Sequence, residues 1–218
     1  MTLVVLEHEI VPYRDALELQ ESLIARKFDG DPNDYLIVLE HEPVYTLGRG
    51  ADESDLHAAD RRLGVEAVRV GRGGGVTFHG PGQLVAYPII DLGRFGRDVT
   101  RYVRTLEAVL IEVCARFAVH ADRRSGAPGV WVGDGKVASI GVGIRRWVAF
   151  HGIALNVSTD LRFFSEIVPC RMPDVRMTSL EREARTPISM PVVREVLIRE
   201  FRRAFDRTAV SVATEARV

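Results

Sequence analysis

The two cysteines of this chain lie in opposite sequence contexts, and one of them is a candidate nucleophile. Cys114 falls on the apolar stripe of a predicted helix, where a free cysteine behaves as a small hydrophobic residue. Cys170 lies between Pro169 and Pro173, so we expect an irregular, stiffened turn that presents its thiol to a cleft. Cys170 is therefore the candidate for nucleophilic chemistry.

A thiol has an ordinary pKa of about 8.5 and needs a neighbouring cation to act at neutral pH, because positive charge favours the thiolate. Lys136 is the candidate cation. The chain has 27 arginines but only two lysines, and lysine can release its proton whereas arginine cannot. Lys136 begins a run of small residues that leaves room above a sheet, although a lysine at a solvated hairpin end has the same local sequence. The other lysine, Lys27, lies near a predicted helix C-terminus, where the helix dipole accounts for it.

Residues 72–92 are the strongest candidate for a ligand-binding segment in this sequence. Their first eleven residues contain five glycines and a proline, with Arg72 and His79 among them, and a β-branched apolar run follows. Glycine is costly to order, so a folded domain keeps such a run where the backbone adopts positive φ or lies against a ligand. A long hairpin turn is the alternative, but such a turn requires neither the arginine nor the histidine.

Other chemistries find no support in the residue spacing. His79 and His151 are the histidines of interest, and a hydrogen-bonded core position is the commoner role for a lone histidine. No histidine pair has helical i, i+4 spacing and no Cys-x-x-Cys occurs, so no metal is predicted. Gly135-Lys136 precedes a valine, where a phosphate-binding loop has Ser or Thr. The glycine run leads into a strand and lacks G-x-G-x-x-G spacing, and no G-x-S-x-G is present, so we expect no cofactor and no serine triad.

The elements that must position these residues follow from hydrophobic periodicity. Asp98 is the predicted N-cap of the clearest helix, Pro88 suggests an edge strand or a bulge, and residues 42–55 are predicted as a loop. Strands and helices do not alternate regularly, which favours an α+β fold over a doubly wound one. Strands are predicted at 4–9, 35–41, 65–70, 84–91, 130–132, 136–144 and 147–156, and helices at 12–28, 99–117 and 192–205.

Composition limits the class of protein. A length of 218 residues with 46% hydrophobic residues predicts one domain over residues 1–218. A net charge of −1 gives no field for nucleic acid or a membrane surface. The N-terminus has only a few apolar residues and carries acids, so we expect a strand there and no signal peptide. Two cysteines make no disulfide framework, and no apolar run is long enough to span a bilayer, so we expect a cytoplasmic protein.

Four blocks of this sequence resemble the lipoyl(octanoyl) transferases, the octanoyl-[acyl carrier protein]:protein N-octanoyltransferases of lipoate biosynthesis. The order and spacing of the blocks also match, over about residues 40–180. The blocks are 72–92, Gly129-Val-Trp-Val132 leading to Lys136-Val-Ala-Ser-Ile-Gly141, His151-Gly-Ile-Ala-Leu-Asn-Val157, and Pro169-Cys170 followed by Thr178-Ser179-Leu180.

The resemblance implies a fold and a set of site residues. The fold is a mixed sheet flanked by helices, like the catalytic domain of biotin and lipoate ligases. Cys170 matches the acyl-thioester nucleophile, and Lys136 the lysine that lowers the pKa of that thiol. The implied acyl pocket is lined by Arg72, Gly73, Gly74, Gly75, Val76, Thr77, Phe78, His79, Ser139, Ile140, Gly141, Gly152, Ile153 and Ala154.

The resemblance also implies partners. Octanoyl-acyl carrier protein is the expected donor, and the expected acceptors are lysines on lipoyl domains of 2-oxo acid dehydrogenases and on the glycine-cleavage H protein. No cofactor, nucleic acid or membrane is implied, and we expect a monomer.

One departure from the family pattern keeps two alternatives open. The family has Pro-Cys-Gly where this chain has Pro169-Cys170-Arg171, which puts the local geometry in doubt. An ATP-dependent lipoate or biotin ligase shares the glycine-rich segment and the lysine but does not need Cys170. A non-catalytic relative that binds acyl carrier protein or lipoyl domains is the second alternative.

Overall fold

The computed structural model describes residues 2–168 and 175–215, with side chains up to residue 205. The strands are β1 Leu3–Val11, β2 Asp34–His41, β3 Val44–Leu47, β4 Glu66–Arg69, β5 Val76–His79, β6 Gln83–Asp91, β7 Asp122–Arg124, β8 Ala127–Val132, β9 Gly135–Arg145, β10 Val148–Asn156 and β11 Arg176–Met177. The α-helices are α1 Tyr13–Phe28, α2 Ala59–Leu63, α3 Val99–Arg116, α4 Leu180–Ala184 and α5 Met190–Glu215, and 3-10 turns span Glu53–Leu56, Leu92–Phe95 and Leu161–Glu166.

The larger sheet is mixed and has eight described strands, in the order β1-β2-β6-β10-β9-β8-β7, with β11 paired to β9. The β1–β2 and β11–β9 pairs are parallel, and the other neighbours are antiparallel. Successive strand residues point to opposite faces. Alternate residues of β2 therefore pack either with α1 or with α3 and α5, and these helices cover opposite faces of the sheet.

The smaller sheet, in the order β4-β3-β5, holds the glycine-rich segment. That segment connects β4 to β5, and Gly73 N–H donates to the Val142 carbonyl of β9 at 2.9 Å. The apolar side chains of this sheet pack with the 3-10 turn Leu161–Glu166 in a separate cluster. The glycine-rich segment therefore connects two strands of the smaller sheet and is also hydrogen-bonded to the larger sheet.

The prediction of an α+β fold with a mixed sheet and flanking helices is confirmed, as are the main strands and helices. Asp98 caps α3 as expected, because its carboxylate accepts the backbone N–H of Arg101 at 2.9 Å. The long α3 and the start of α5 also lie where hydrophobic periodicity placed them.

One prediction about the elements is wrong, and so is one of the two alternatives for Pro88. Residues 42–55 are not a continuous loop, because they contain β3, which pairs with both β4 and β5. Pro88 does not mark an edge strand, because β6 is central and pairs with both β2 and β10. The missing N–H of Pro88 falls where the β10 ladder is interrupted, between the Ala149–Ile90 and Ile153–Ala86 pairs.

None of the helices in the described part of the chain combines the length and apolar character needed to cross a membrane.

Candidate active site

A cleft opens between the glycine-rich segment and the neighbouring strands β9 and β10. Helix α1 and strand β6 each add a tyrosine to its wall. The lining residues are Tyr13, Arg72, Gly73, Gly74, Thr77, His79, Tyr87, Ser139, Ile140, Gly141, His151, Gly152, Ile153 and Ala154.

The structure brings most of the predicted pocket residues to this cleft but leaves three outside it. Gly75, Val76 and Phe78 are absent from the lining. Val76 and Phe78 point into the core of the smaller sheet, where the Phe78 ring stacks on Phe163 with centroids 4.4 Å apart. Alternation along β5 explains this division, since Thr77 and His79 face the cleft and their neighbours face the core.

Glycines in β9 and β10 leave room for the Arg72 side chain and for close strand contacts. A Cβ on Gly141 would lie 2.9 Å from Cδ of Arg72, and one on Gly152 would lie 2.6 Å from Cδ of Pro88. The Arg72 guanidinium donates to the hydroxyl and the carbonyl of Thr46 at 2.8 and 2.7 Å, and to the Gly73 carbonyl at 3.0 Å. The arginine is therefore buried and oriented by neutral oxygen acceptors.

A layer of aromatic rings forms one side of the cleft and extends below it. The Tyr13 ring stacks on the His79 ring with centroids 6.0 Å apart, and the centroids of the His41 and Tyr13 rings are 5.0 Å apart. His41 Nδ1 lies 3.1 Å from the Val11 carbonyl and must carry the proton, so its Nε2 accepts the Tyr87 hydroxyl at 2.7 Å. The polar atoms of these rings are thus largely satisfied within the protein.

Burial keeps these rings uncharged at neutral pH. Desolvation lowers the pKa of His41 to about 4 and that of His151 to about 3, and lowers the pKa of His79 well below 6.5. Desolvation also raises the pKa of Tyr13 to about 12. The aromatic side of the cleft is consequently uncharged and suits an apolar ligand better than an anion, while Arg72 adds a positive charge to the lining.

His151 differs from the other rings of the cleft. It is 1% exposed, and neither ring nitrogen has a hydrogen-bond partner among the described residues. Its backbone adopts a left-handed φ of 53° within β10, and its N–H donates to Gln20 Oε1 of α1 at 2.9 Å. His151 is therefore buried, as expected for a core histidine, but its ring has no hydrogen-bond partner among the described residues.

Lys136 is buried and does not lie at a solvated hairpin end. Its exposed fraction is 2%, and its Nζ lies 5.5 Å from the centroid of the Trp131 ring. The side chain crosses Gly129, where a Cβ would lie 2.6 Å from Lys136 Cε. Gly129 also has a φ of 125°, so a glycine is required there both by conformation and by the passage of the lysine.

The remaining predicted residues either have structural roles or lie outside the described residues. Cys114 is buried on α3 as expected, and burial raises its pKa to about 12. Lys27 is held near the end of α1 by the Asp31 and Asn33 carbonyls at 3.1 and 2.7 Å and by Asp34 at 3.2 Å. Cys170 and Arg171 lie outside the described residues, so the expected proximity of Cys170 and Lys136 stays a prediction.

Several residues of this region were not predicted as site residues. Tyr13 and Tyr87 line the cleft, and His41 contacts both of them. Gln83 and Asn156 are hydrogen-bonded to each other, and Gln83 is also bonded to His79. Tyr87, Gln83 and Asn156 fall inside the conspicuous blocks of the sequence, so block membership was a signal for them. Tyr13 and His41 follow ordinary amphipathic or buried patterns and carried no such signal.

Comparison with known proteins identifies the family of this chain. Residues 12–202 match the model of the lipoyl protein ligase A/B catalytic domain. An octanoyltransferase of Geobacter sp. (strain M21) is 50% identical over 192 residues, which cover 88% of this chain and 92% of that protein.

Solved structures support the fold. A lipoate-protein ligase A bound with ATP superposes with a TM-score of 0.76 at 19% identity, covering 99% of this chain and 94% of that one. A bipartite lipoate protein ligase from Thermoplasma acidophilum, studied with its E2 lipoyl domain, gives a TM-score of 0.72 at 19% identity over 96% and 91% of the two chains. The chain therefore belongs to the lipoyl protein ligase A/B catalytic domain family, and its extensive identity with octanoyltransferases makes it an acyltransferase of that kind.

Proposed function

We propose that this enzyme takes an octanoyl group from octanoyl-acyl carrier protein, holds it as a thioester on Cys170, and passes it to a specific lysine of a lipoyl domain. Lys136 serves both steps as the group that accepts and returns protons. Arg72, His79 and the strands around Gly141 and Gly152 hold the acyl chain.

In the first half-reaction, Lys136 takes the proton of the Cys170 thiol. The thiolate attacks the carbonyl carbon of the donor thioester, and the bond from that carbon to the carrier sulfur breaks. The leaving thiolate takes the proton back from Lys136. The products are octanoyl-Cys170 and the free thiol of the carrier protein, and the lysine is neutral again.

In the second half-reaction, the neutral amine of the acceptor lysine attacks the same carbonyl carbon. Its surplus proton passes to Lys136, and the bond between carbon and Cys170 sulfur breaks. An amide forms, and the thiolate–ammonium pair is restored. Splitting one acyl transfer in this way replaces a difficult step with two easier ones.

The observation that carries this proposal is the position of Lys136. The chain has only two lysines, and Lys27 is occupied by Asp34 and two carbonyls. Lys136 is buried between Trp131 and Gly129, three residues before Ser139 of the cleft lining on the same strand. A buried lysine that can exchange a proton is the group that a thiol nucleophile requires, and an arginine could not replace it.

The uncharged aromatic side of the cleft is consistent with an acyl chain. Burying an eight-carbon chain at about 0.8 kcal/mol per CH₂ contributes roughly 5 kcal/mol to binding. No carboxylate lines the described cleft, and its histidines remain uncharged at neutral pH. The lipoyl domain as acceptor is supported by the archaeal ligase of the same fold, which was studied with its E2 lipoyl domain.

Intact-mass spectrometry tests the reaction directly. After mixing with octanoyl-acyl carrier protein, we expect one octanoyl group on the enzyme, located in the peptide that contains Cys170. Adding a lipoyl domain should then move the group onto that domain without ATP. An adduct on any other residue, or no adduct, would overturn the thioester mechanism.

A parallel reaction with ATP and free octanoate addresses the ligase alternative. We expect no octanoyl-adenylate and no modified lipoyl domain from this mixture. Formation of the adenylate would favour an ATP-dependent ligase, and binding of both partners without any transfer would favour a non-catalytic relative.

A further inference from the structure

A continuous chain of hydrogen bonds runs behind the cleft from Arg72 to the backbone of Lys136. Arg72 contacts the Thr46 hydroxyl at 2.8 Å, and that hydroxyl lies 3.3 Å from His79 Nε2. His79 Nδ1 lies 2.7 Å from Gln83 Oε1, and Gln83 Nε2 lies 2.9 Å from Asn156 Oδ1.

The chain continues from Asn156 to the strand of the lysine. Asn156 Nδ2 lies 3.0 Å from the Thr178 carbonyl, and Thr178 N–H lies 3.0 Å from the Lys136 carbonyl. Thr46, His79, Gln83, Asn156 and Thr178 are all buried. The chain therefore joins β3, β5, β6 and β10 to β9 through the segment that precedes α4.

Backbone carbonyls determine the direction of every bond in this chain. Gln83 Nε2 also faces the Phe78 carbonyl at 3.2 Å, and a carbonyl can only accept, so this atom is the amide nitrogen. Asn156 Nδ2 is identified in the same way by the Thr178 carbonyl. Gln83 Oε1 must then accept from His79, which places the single proton of the neutral ring on Nδ1.

The remaining bonds follow from that tautomer. His79 Nε2 carries a lone pair and accepts from the Thr46 hydroxyl, while the hydroxyl oxygen accepts from the guanidinium of Arg72. All six bonds thus donate in one direction, from the permanent cation Arg72 to the Lys136 carbonyl. Hydrogen bonds aligned in this manner polarise one another and hold their members in a single arrangement.

We propose that Gln83 and Asn156 are positioning residues that keep the acyl-binding wall and the Lys136 strand in register for transfer. This inference rests on the proposed function, because it concerns the alignment of the acyl chain with the lysine that moves the protons. Gln83 orients His79 and, through Thr46, Arg72. Asn156 attaches that wall to the Thr178 backbone, which in turn pairs with Lys136.

Amides suit this role because each one accepts at one end and donates at the other without adding charge. A substituted apolar side chain would leave His79 Nδ1–H or the Thr178 carbonyl without a partner in a buried site. The strands would then shift to satisfy these groups, and a misplacement of about 1 Å can reduce catalysis by about a hundredfold.

The test compares Gln83→Met and Asn156→Leu, which keep volume and remove the hydrogen bonds, with Asn156→Asp. A protonated Asp carboxyl can still accept from Gln83 and donate to Thr178, so it should restore part of the lost activity. Ser179→Ala is the matched control, because it removes only the cap that accepts Arg182 N–H, next to the chain but not part of it.

We expect kcat to fall about ten- to a hundredfold in Gln83→Met and Asn156→Leu, with little change in KM for the acyl donor. Asn156→Asp should lie between Asn156→Leu and the wild type, and Ser179→Ala should retain its kcat. A melting curve for each variant separates these effects from general destabilisation. If kcat followed melting temperature across all four variants, the two amides would be structural and the proposal would fail.

Nitrogen-15 NMR of histidine-labelled protein supplies a readout that does not depend on activity. The wild-type His79 ring should carry its proton on Nδ1, and Gln83→Met should lose this preference. An unchanged tautomer in Gln83→Met would overturn the proposal. A Lys136→Met variant that still transferred acyl groups would instead overturn the proposed function, and the tautomer result would remain valid on its own.

Discussion

At the scale of single residues, the two cysteines lie in opposite sequence contexts, and the structure describes one of them. Cys114 is completely buried on α3, and desolvation raises its pKa to about 12. Such a thiol stays protonated at neutral pH and is a poor nucleophile. Cys170, which the sequence places between two prolines, therefore stays the predicted nucleophile.

Replacing each cysteine by serine separates these roles. Cys170→Ser should abolish acyl transfer and leave the melting temperature unchanged. Cys114→Ser should keep its activity but lose about 1–3 kcal/mol of stability, because the buried hydroxyl would lack a partner. Transfer assays and urea unfolding measure both effects, and an inactive Cys114→Ser beside an active Cys170→Ser would reverse the assignment.

At the scale of elements, two glycine-bearing segments shape the site for different reasons. Gly74 has a φ of 89°, so a side chain there would be strained whatever space it found. Gly73 has no such φ, and a Cβ on it would meet only the Val142 carbonyl, at an ordinary 3.6 Å. The backbone of Gly73 therefore does not require a glycine, and we attribute the absence of a side chain to the space that a ligand needs in the cleft.

Gly73→Val should shorten the acyl chain that the cleft accepts. If its methyls displace two CH₂ groups of the ligand, the loss of about 1.6 kcal/mol corresponds to about a tenfold lower kcat/KM for octanoyl donors than for shorter ones. Gly71→Val is the control, since Gly71 is exposed and outside the cleft lining. Equal loss for all chain lengths in Gly73→Val would indicate a structural turn instead.

The close contact between Gly129 and the Lys136 side chain leads to a prediction about the lysine. Gly129→Ala would place a methyl 2.6 Å from Lys136 Cε and from the Ala138 carbonyl, so the lysine must move. We expect kcat to fall at least about tenfold, as for a displaced catalytic group.

Gly126→Ala is the matched control for that change. Gly126 also has a positive φ, of 73°, but a Cβ there would meet no atom within 4 Å. Both variants should lose stability through backbone strain, of about 1–2 kcal/mol in the control. If the two lost the same fraction of activity, backbone strain and not displacement of Lys136 would be responsible.

At the scale of the whole molecule, three buried neutral histidines link folding to pH. The folded-state pKa values of His41 and His151 are about 4 and about 3, and that of His79 is also well below 6.5. The unfolded chain binds protons on these rings near pH 6.5, whereas the folded protein does not. Between these values the unfolded state holds more protons, so stability is lost as the pH falls.

We therefore expect the free energy of unfolding to decrease by about 1.4 kcal/mol per pH unit for each histidine, between roughly pH 6 and 4. Urea unfolding at a series of pH values measures the slope. His151→Phe should reduce the slope by one proton. A slope unaffected by His151→Phe would show that this ring is protonated in the folded state.

Local patterns in the sequence carried much of the architecture. Apolar residues at three- and four-residue steps placed α3, and β-branched runs placed β2, β9 and β10, because these patterns report side-chain direction within one element. They failed for β3, a four-residue strand, and for the edge-strand alternative at Pro88. In both cases the deciding interactions are made with strands distant in sequence.

The sequence by itself determined the chemistry that was available: a cysteine between prolines, one lysine free of a helix end, and a glycine-rich run with an arginine and a histidine. Only the tertiary structure decided which groups hold the arginine and the histidine in place. Gln83 meets Asn156 across 73 positions, and His41 meets Tyr87 across 46. Periodicity describes neighbours along one element, whereas these contacts depend on strand order and register, which a single sequence does not display.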